Sequence, residues 1–261
     1  MFSQEKKRFG CSKGVFLLSF FGLELLLLLI PWLSSQPVAS PRNMVQFEGI
    51  DFLVYKTSSN EKIQFFWRDG NGSLYNTLSA VKEAVQSEDK TLLFATNGGM
   101  YHFNRHPVGL YIEDGAVISP LNLEDNWGNF FLKPNGIFAT TKSGPVVVDS
   151  TEFSTLKNVI NATQSGPLLL KMGKIHPAFK INSTSVFIRS GVGVTPEGRT
   201  VFAISLKPVN FYQFARLFRD KLGVDNALYL DGDISQVYLP ESPAMGKENM
   251  FGPIIGVVAT K

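Results

Sequence analysis

Gly191-Val-Gly-Val-Thr-Pro-Glu-Gly-Arg-Thr-Val-Phe-Ala-Ile204 is the stretch that decides the fold class. Small and apolar residues run up to Thr195-Pro196-Glu197-Gly198 and resume directly after Arg199. Proline presets the first dihedral of the turn and glycine supplies the left-handed one, so the segment reads as a β-hairpin. Three more segments carry the same signature: Ile63 to Tyr75 around Asp69-Gly70-Asn71-Gly72, Val108 to Ile118 around Glu113-Asp114-Gly115, and Gly136 to Val148 around Ser143-Gly144. Four hairpins spread along one chain make the domain strand-rich.

Two segments depart from the pattern. Leu74, Leu78, Val81 and Val85 fall on one helical stripe, and so do Phe211, Phe214, Leu217, Phe218 and Leu222. Each stripe is followed by a buried-type strand, Leu92 to Thr96 and Ala227 to Leu230. Each strand then runs into a polar, glycine-containing loop: Asn97-Gly98-Gly99 in one case, Asp231-Gly232-Asp233 in the other. The expected architecture is α/β mixed (α+β): one strand-rich domain with several hairpins, two main helices packed on a mixed sheet, and a site at strand ends.

The N-terminus is a separate matter. Lys6, Lys7, Arg8 and Lys13 precede a largely apolar run from Val15 to Ile30, and Ser34 to Asn43 is rich in Ser and Pro. A basic flank holds that end in the cytoplasm, so the chain beyond Pro31 is expected to be exported. Residues 1–40 therefore read as a targeting segment with a short linker, and both a removed signal peptide and a retained anchor fit it. The expected location is periplasmic or otherwise extracytoplasmic, with membrane contact only through this segment. Residues 41–261, about 220 in all, suffice for one domain with a real core.

Composition narrows the chemistry. Hydrophobic residues make up 44% of the chain and charged residues 18%, which fits a packed globule. The formal charge of +3 is partly carried by the leader, so no nucleic-acid footprint is expected. The one cysteine, Cys11, lies before the apolar run, so the domain is expected to fold without disulfides. A Gly-x-Ser-x-Gly elbow, a P-loop and a cysteine nucleophile are all missing from residues 41–261.

Several residues have the character that chemistry requires. Asp231 and Asp233 follow an apolar strand, where an acid costs stability unless it has a partner or a function. They read as a carboxylate pair, with Ser235 close behind. The pair could hold a divalent cation, although the ligand pattern of a calcium loop does not continue past it; no cofactor is expected. Asn97 offers a donor and an acceptor beside two glycines, Gly98 and Gly99, that allow a backbone to approach a ligand. Arg189, leaving an apolar strand, presents a permanently charged fork suited to a phosphate or carboxylate. Arg105, between His102 and His106, is a second anion-binding candidate, and the two histidines read as loop residues. Tyr101, Trp127 and Tyr238 are compatible with stacking on a sugar. His176, before Pro177, reads as a surface-loop residue.

Asn97-Gly-Gly-Met-Tyr101, Gln164-Ser-Gly-Pro167, Arg189-Ser-Gly-Val-Gly-Val194 and Leu230-Asp-Gly-Asp-Ile-Ser235 occur in that order. Together they resemble the phosphodiester glycosidase family, in particular bacterial relatives of the uncovering enzyme that removes N-acetylglucosamine from a phosphodiester. The resemblance spans roughly residues 45 to 260 and makes residues 41–261 a domain of that type. It implies hydrolysis of a sugar-1-phosphodiester or related glycosidic bond in envelope glycan or polysaccharide metabolism, and a carbohydrate or sugar-phosphate partner. The implied catalytic residues are Asp231, Asp233 and Arg189. The implied substrate-binding residues are Asn97, Gly98, Gly99, Tyr101, Arg105, Gln164, Gly166 and Ser235. The family usually has a second glycine where Asp233 stands, and the added charge would oppose a phosphate. Two other readings fit the same pocket: a non-catalytic module that binds a glycan or cell-wall polymer, and an ordinary glycosidase on a phosphate-free sugar with Asp233 as the partner carboxylate.

Overall fold

Gly198 takes φ +76°, the left-handed value its turn requires, and its N–H closes on the Thr195 carbonyl at 2.9 Å. Turns of this kind organise most of the chain. The computed structural model describes residues 43–232, 234–240 and 249–260. The first ten strands are β1 (Met44–Phe47), β2 (Ile50–Lys56), β3 (Lys62–Phe66), β4 (Lys90–Asn97), β5 (Tyr111–Glu113), β6 (Ala116–Ser119), β7 (Gly136–Thr141), β8 (Gly144–Asp149), β9 (Val159–Ser165) and β10 (Leu168–Lys171). Then follow β11 (Lys174–Ile175), β12 (Ser190–Val194), β13 (Thr200–Ser205), β14 (Asn226–Asp231), β15 (Val237–Tyr238) and β16 (Ile254–Thr260). The helices are α1 (Leu78–Ser87) and α2 (Phe211–Arg216), the latter running on into a π turn, Leu217–Lys221.

The strands form a seven-stranded sheet (β1-β2-β13-β12-β14-β10-β11), a four-stranded sheet (β15-β4-β16-β3) and a five-stranded sheet (β6-β5-β9-β7-β8). The strand-rich α+β class is as expected. The single mixed sheet is not: the described strands pair antiparallel throughout, in three sheets. Hairpins β5–β6, β7–β8 and β12–β13 form at the expected turns. The Asp69 turn also closes, its carboxylate accepting from Asn71 N–H at 2.9 Å and Ser73 N–H at 2.8 Å. Beyond that tip β3 pairs with the distant β16.

Helix α1 starts where Thr77 caps Ala80 N–H at 3.1 Å, and it buries Leu78, Val81 and Val85. Leu74 lies outside the helix, bridged to Arg68. Helix α2 opens with a capping box, Asn210 with Gln213, and packs Phe214 and the following Phe218 on one face of the seven-stranded sheet. The opposite face meets the other two sheets in a common core that includes Phe65, Phe94, Tyr111, Phe138, Phe202 and Leu228. His176 corrects its surface assignment: it is buried and stacks on Phe179 at 4.8 Å, and burial holds its imidazole pKa below the usual value.

Candidate functional site

Strand β4 ends at Asn97, β12 begins at Ser190 and β14 ends at Asp231. Ser190 and Asp231 are ladder partners in the seven-stranded sheet, while Asn97 comes from the four-stranded sheet. The Asn97 amide crosses between the sheets, its Nδ2 donating to Ser190 Oγ at 3.0 Å. Ser190 Oγ also accepts from Ser235 Oγ at 2.8 Å, and its own hydroxyl lies 3.2 Å from Asn97 Oδ1. Thr96 Oγ1 donates to the Gln236 carbonyl at 2.9 Å and fixes the loop that carries Ser235. Asn97, Ser190 and Ser235 are all buried, so this network forms the wall behind the site.

In front of it lies an open cleft of about 570 Å³ lined by Tyr101, His102, Trp127, Phe130, Asp231 and Ile234, among others. Asp231 is the one carboxylate lining it among the described residues. Its Oδ1 accepts from Gly232 N–H at 2.7 Å, which aims the side chain locally. Asp233 lies outside the described residues. Tyr101 donates its hydroxyl to the Met250 carbonyl at 2.8 Å. Burial raises the Tyr101 pKa, with Arg105 pulling it down and Asp231 pushing it up; Tyr101 and Asp231 line the cleft, whereas Arg105 is absent from its lining. The Arg105 guanidinium stands 5.2 Å from the Tyr101 ring centre, and the Arg105 carbonyl accepts from Trp67 Nε1 at 2.9 Å.

The glycines explain themselves by packing. A Cβ on Gly98 would lie 3.0 Å from the Pro253 carbonyl carbon, and Gly98 N–H bonds to the Pro253 carbonyl at 2.7 Å. Gly99 has φ +118°, and a Cβ there would lie 2.9 Å from Thr163 Oγ1. Thr163 Oγ1 in turn donates to the Gly98 carbonyl at 2.5 Å. The two glycines thus let β4, β9 and β16 meet at one point. Gly166 likewise permits a close approach, since a Cβ would lie 2.7 Å from the Phe130 carbonyl oxygen.

Gln164 is buried and acts through the chain around it. Its Oε1 accepts from Leu110 N–H and Asn122 N–H, each at 3.0 Å, and its Nε2 donates to the Asn122 carbonyl at 2.6 Å. It anchors the start of the loop whose residues 126–131 form one wall of the cleft. Arg189 is also fully buried and is absent from the cleft lining. Its guanidinium lies 3.7 Å over Phe211, with Nε donating to the Val209 carbonyl at 2.8 Å and Nη2 to the Ser185 carbonyl at 3.0 Å. The expected open fork is corrected to an aromatic cage, because strand alternation turns Arg189 toward α2 and Ser190 toward the site. Tyr238 packs with the α1 cluster and carries Lys82 5.6 Å over its ring, away from the cleft lining.

His102 and His106 close a turn through the backbone, His102 N–H to His106 carbonyl at 2.8 Å. Among the described residues no group of three or more His, Cys, Asp or Glu side chains could hold a metal ion. Ser190 was missed by choosing residues for charge. The signal available was its place inside the Arg189-Ser-Gly motif, on the strand face opposite Arg189.

Comparison with known proteins shows the family and the fold. Residues 90–251 match the profile of the phosphodiester glycosidase family. Uncharacterized protein YigE of Escherichia coli strain K12 is 41% identical over 181 residues, covering 69% of this chain and 70% of its own. The fold is similar to that of the zebrafish N-acetylglucosamine-1-phosphodiester alpha-N-acetylglucosaminidase catalytic domain, auto-inhibited by its pro-peptide, with TM-score 0.59 and 15% identity over 82% of this chain and 80% of that one. It is also similar to a hypothetical protein from Synechocystis, with TM-score 0.51 and 13% identity over 83% of this chain and 61% of that one. With the family profile matched across most of the domain and a relative 41% identical over two thirds of the chain, this chain belongs to the phosphodiester glycosidase family.

Proposed function

We propose that the cleft hydrolyses a sugar-1-phosphodiester, breaking the bond between the anomeric carbon and a phosphate oxygen to release free sugar and a phosphate monoester. The observation that carries this reading is Asp231, held at the end of β14 in the cleft that Tyr101 also lines. A phosphate monoester is already a good leaving group, so a strong general acid is less necessary than in ordinary glycosidases. Asp231 stabilises the oxocarbenium-like centre or activates the attacking water. Arg105, next to the Tyr101 hydroxyl, supplies positive charge for the phosphate. Arg189 and Gln164 act as positioning residues: one braces the chain leading into the site, the other holds the cleft wall. Asn97, Ser190 and Ser235 fix the strand ends against one another. The basic flank and apolar run of residues 6–30 support an envelope location for the reaction, on glycan or polysaccharide.

The test is release of free sugar from a panel of sugar-1-phosphodiesters, with and without a chelator. Asp231→Asn is expected to keep its circular dichroism and melting temperature and to lose about 10²–10⁴-fold in turnover. A fully active Asp231→Asn protein would remove the assignment. Loss of turnover on chelation would add a cation to the site. Binding of glycans by a folded protein that turns over nothing in a broad panel would leave a recognition module.

A further inference from the structure

The two most exposed large apolar side chains among the described residues are Phe103, 100% exposed, and Trp127, 92% exposed. Both belong to loops that line the Asp231 cleft. Trp127 lines it directly, and Phe103 sits at the tip of the turn that follows Tyr101 and His102, which also line it. Two separate loops that line the cleft therefore carry large exposed apolar side chains. Scattered single hydrophobes on a surface are ordinary, but a cluster around a concave site marks what the site receives.

The polar side chains of these loops are engaged in shaping them. Asn104 accepts from His106 N–H at 3.1 Å, Asn126 from Trp127 N–H at 2.7 Å and Asn122 from Glu124 N–H at 3.0 Å. Lys133 holds the Leu123 carbonyl and the Asp125 carboxylate, at 2.7 and 2.6 Å. The cleft wall beside Trp127 also carries Met100, Val108, Phe130, Phe131 and Ile234, so apolar side chains predominate there. A flat anionic membrane is disfavoured by the exposed Glu124 and Asp125 on the Trp127 loop.

We infer that the group on the far side of the phosphate is apolar: the substrate is an alkyl or lipid phosphate ester of a sugar, with its hydrocarbon against Trp127 and Phe103. This rests on the phosphodiester reading of the cleft and specifies the second half of its substrate.

The experiment uses the full chain and a series of sugar-1-phosphodiesters with methyl, butyl and octyl esters, kept below their aggregation limits. Each methylene fully buried against the rim is worth about fourfold in affinity, and partial burial still compounds along the chain. The octyl ester is expected to exceed the methyl ester at least tenfold in kcat/KM, through KM. In a Phe103→Ser/Trp127→Ser variant, the octyl-to-methyl ratio is expected to fall towards one. Both side chains are exposed, so the core is untouched by the change, and a matching melting temperature checks this. A flat series in the parent, or a ratio that survives the double substitution, overturns the inference. A sugar ester preferred over octyl overturns it too, and assigns the rim to glycan stacking. If no ester is turned over, the phosphodiester reading fails separately. Titration calorimetry with octyl phosphate and with methyl phosphate, in parent and Phe103→Ser/Trp127→Ser proteins, then decides the rim alone: a tenfold octyl preference lost in the variant supports it, and equal binding removes it.

Discussion

Arg189 and Ser190 are neighbours in the chain and face opposite layers, so the same motif serves two purposes. Ser190 joins Asn97 and Ser235 in a buried network that ties two sheets together at the site. Removing its hydroxyl leaves the Asn97 amide short of a partner in a dry environment. Ser190→Ala is therefore expected to cost about 1–3 kcal/mol of stability, read by chemical denaturation. A neutral result would mean that water or a shifted Ser235 replaces the contact. Glu113 offers a second test at this scale. Tyr111 donates its hydroxyl to the Glu113 carboxylate at 2.8 Å, yet burial dominates and pushes the Glu113 pKa up from 4.5 to about 7. Because the folded value is raised, the contribution of this group is complete below about 4.5 and is lost as pH rises through about 7. Glu113→Gln is thus expected to be more stable than the parent at pH 8, by on the order of 1 kcal/mol, with the difference shrinking as pH falls towards 4.5. Denaturation curves at the two pH values measure it, and a parent more stable than the variant at pH 8 would contradict the assignment.

Strand β12 shows why a motif can be legible while its meaning is not. Its glycines belong to the Arg189-Ser-Gly-Val-Gly motif, yet they serve packing: a Cβ on Gly193 would lie 2.8 Å from Val224 Cγ2 and 3.2 Å from Phe218 Cδ1. They let α2 and its π turn lie close against the sheet. Gly193→Ala is expected to lower stability by about 1–3 kcal/mol through overpacking, while turnover per folded molecule stays unchanged; active-site titration alongside thermal melts separates the two. The capping box makes a parallel case. Asn210 accepts from Gln213 N–H at 2.9 Å and donates to the Ile181 and Ser183 carbonyls at 3.0 and 3.2 Å. Asn210→Ala is expected to cost about 2 kcal/mol, the upper end for an N-cap, because it also releases the loop before β12. Turns and caps were readable because their chemistry is contained in a few adjacent residues. The pairings of β4 with β16 and of β14 between β12 and β10 were not, because antiparallel neighbours distant in sequence leave no local signature. Hence the hairpins were recoverable, whereas a single mixed sheet was expected in place of three antiparallel ones.

At the scale of the whole molecule, the site is legible only as a consequence of how the sheets share a core. Asn97 and Asp231 both end strands in polar glycine loops, and the sequence shows that likeness. It does not show that Ser190 joins them, since the three residues come from strands in two sheets. All three sheets contribute to one apolar cluster: Phe202 and Leu228 from the first, Phe65 and Phe94 from the second, Tyr111 and Phe138 from the third. A core shared in this way couples the strand ends to global folding, because no sheet can part from the others without exposing its aromatic side chains. Loss of function and loss of fold are then expected to coincide. In urea, turnover or ligand binding and far-UV circular dichroism should give one midpoint, and Phe138→Ala, costing about 3–5 kcal/mol, should shift both together. Function lost at a lower urea concentration than the far-UV signal would show instead that the loops of the cleft open independently, and that the bond from Asn97 to Ser190 is too weak to couple them to the core.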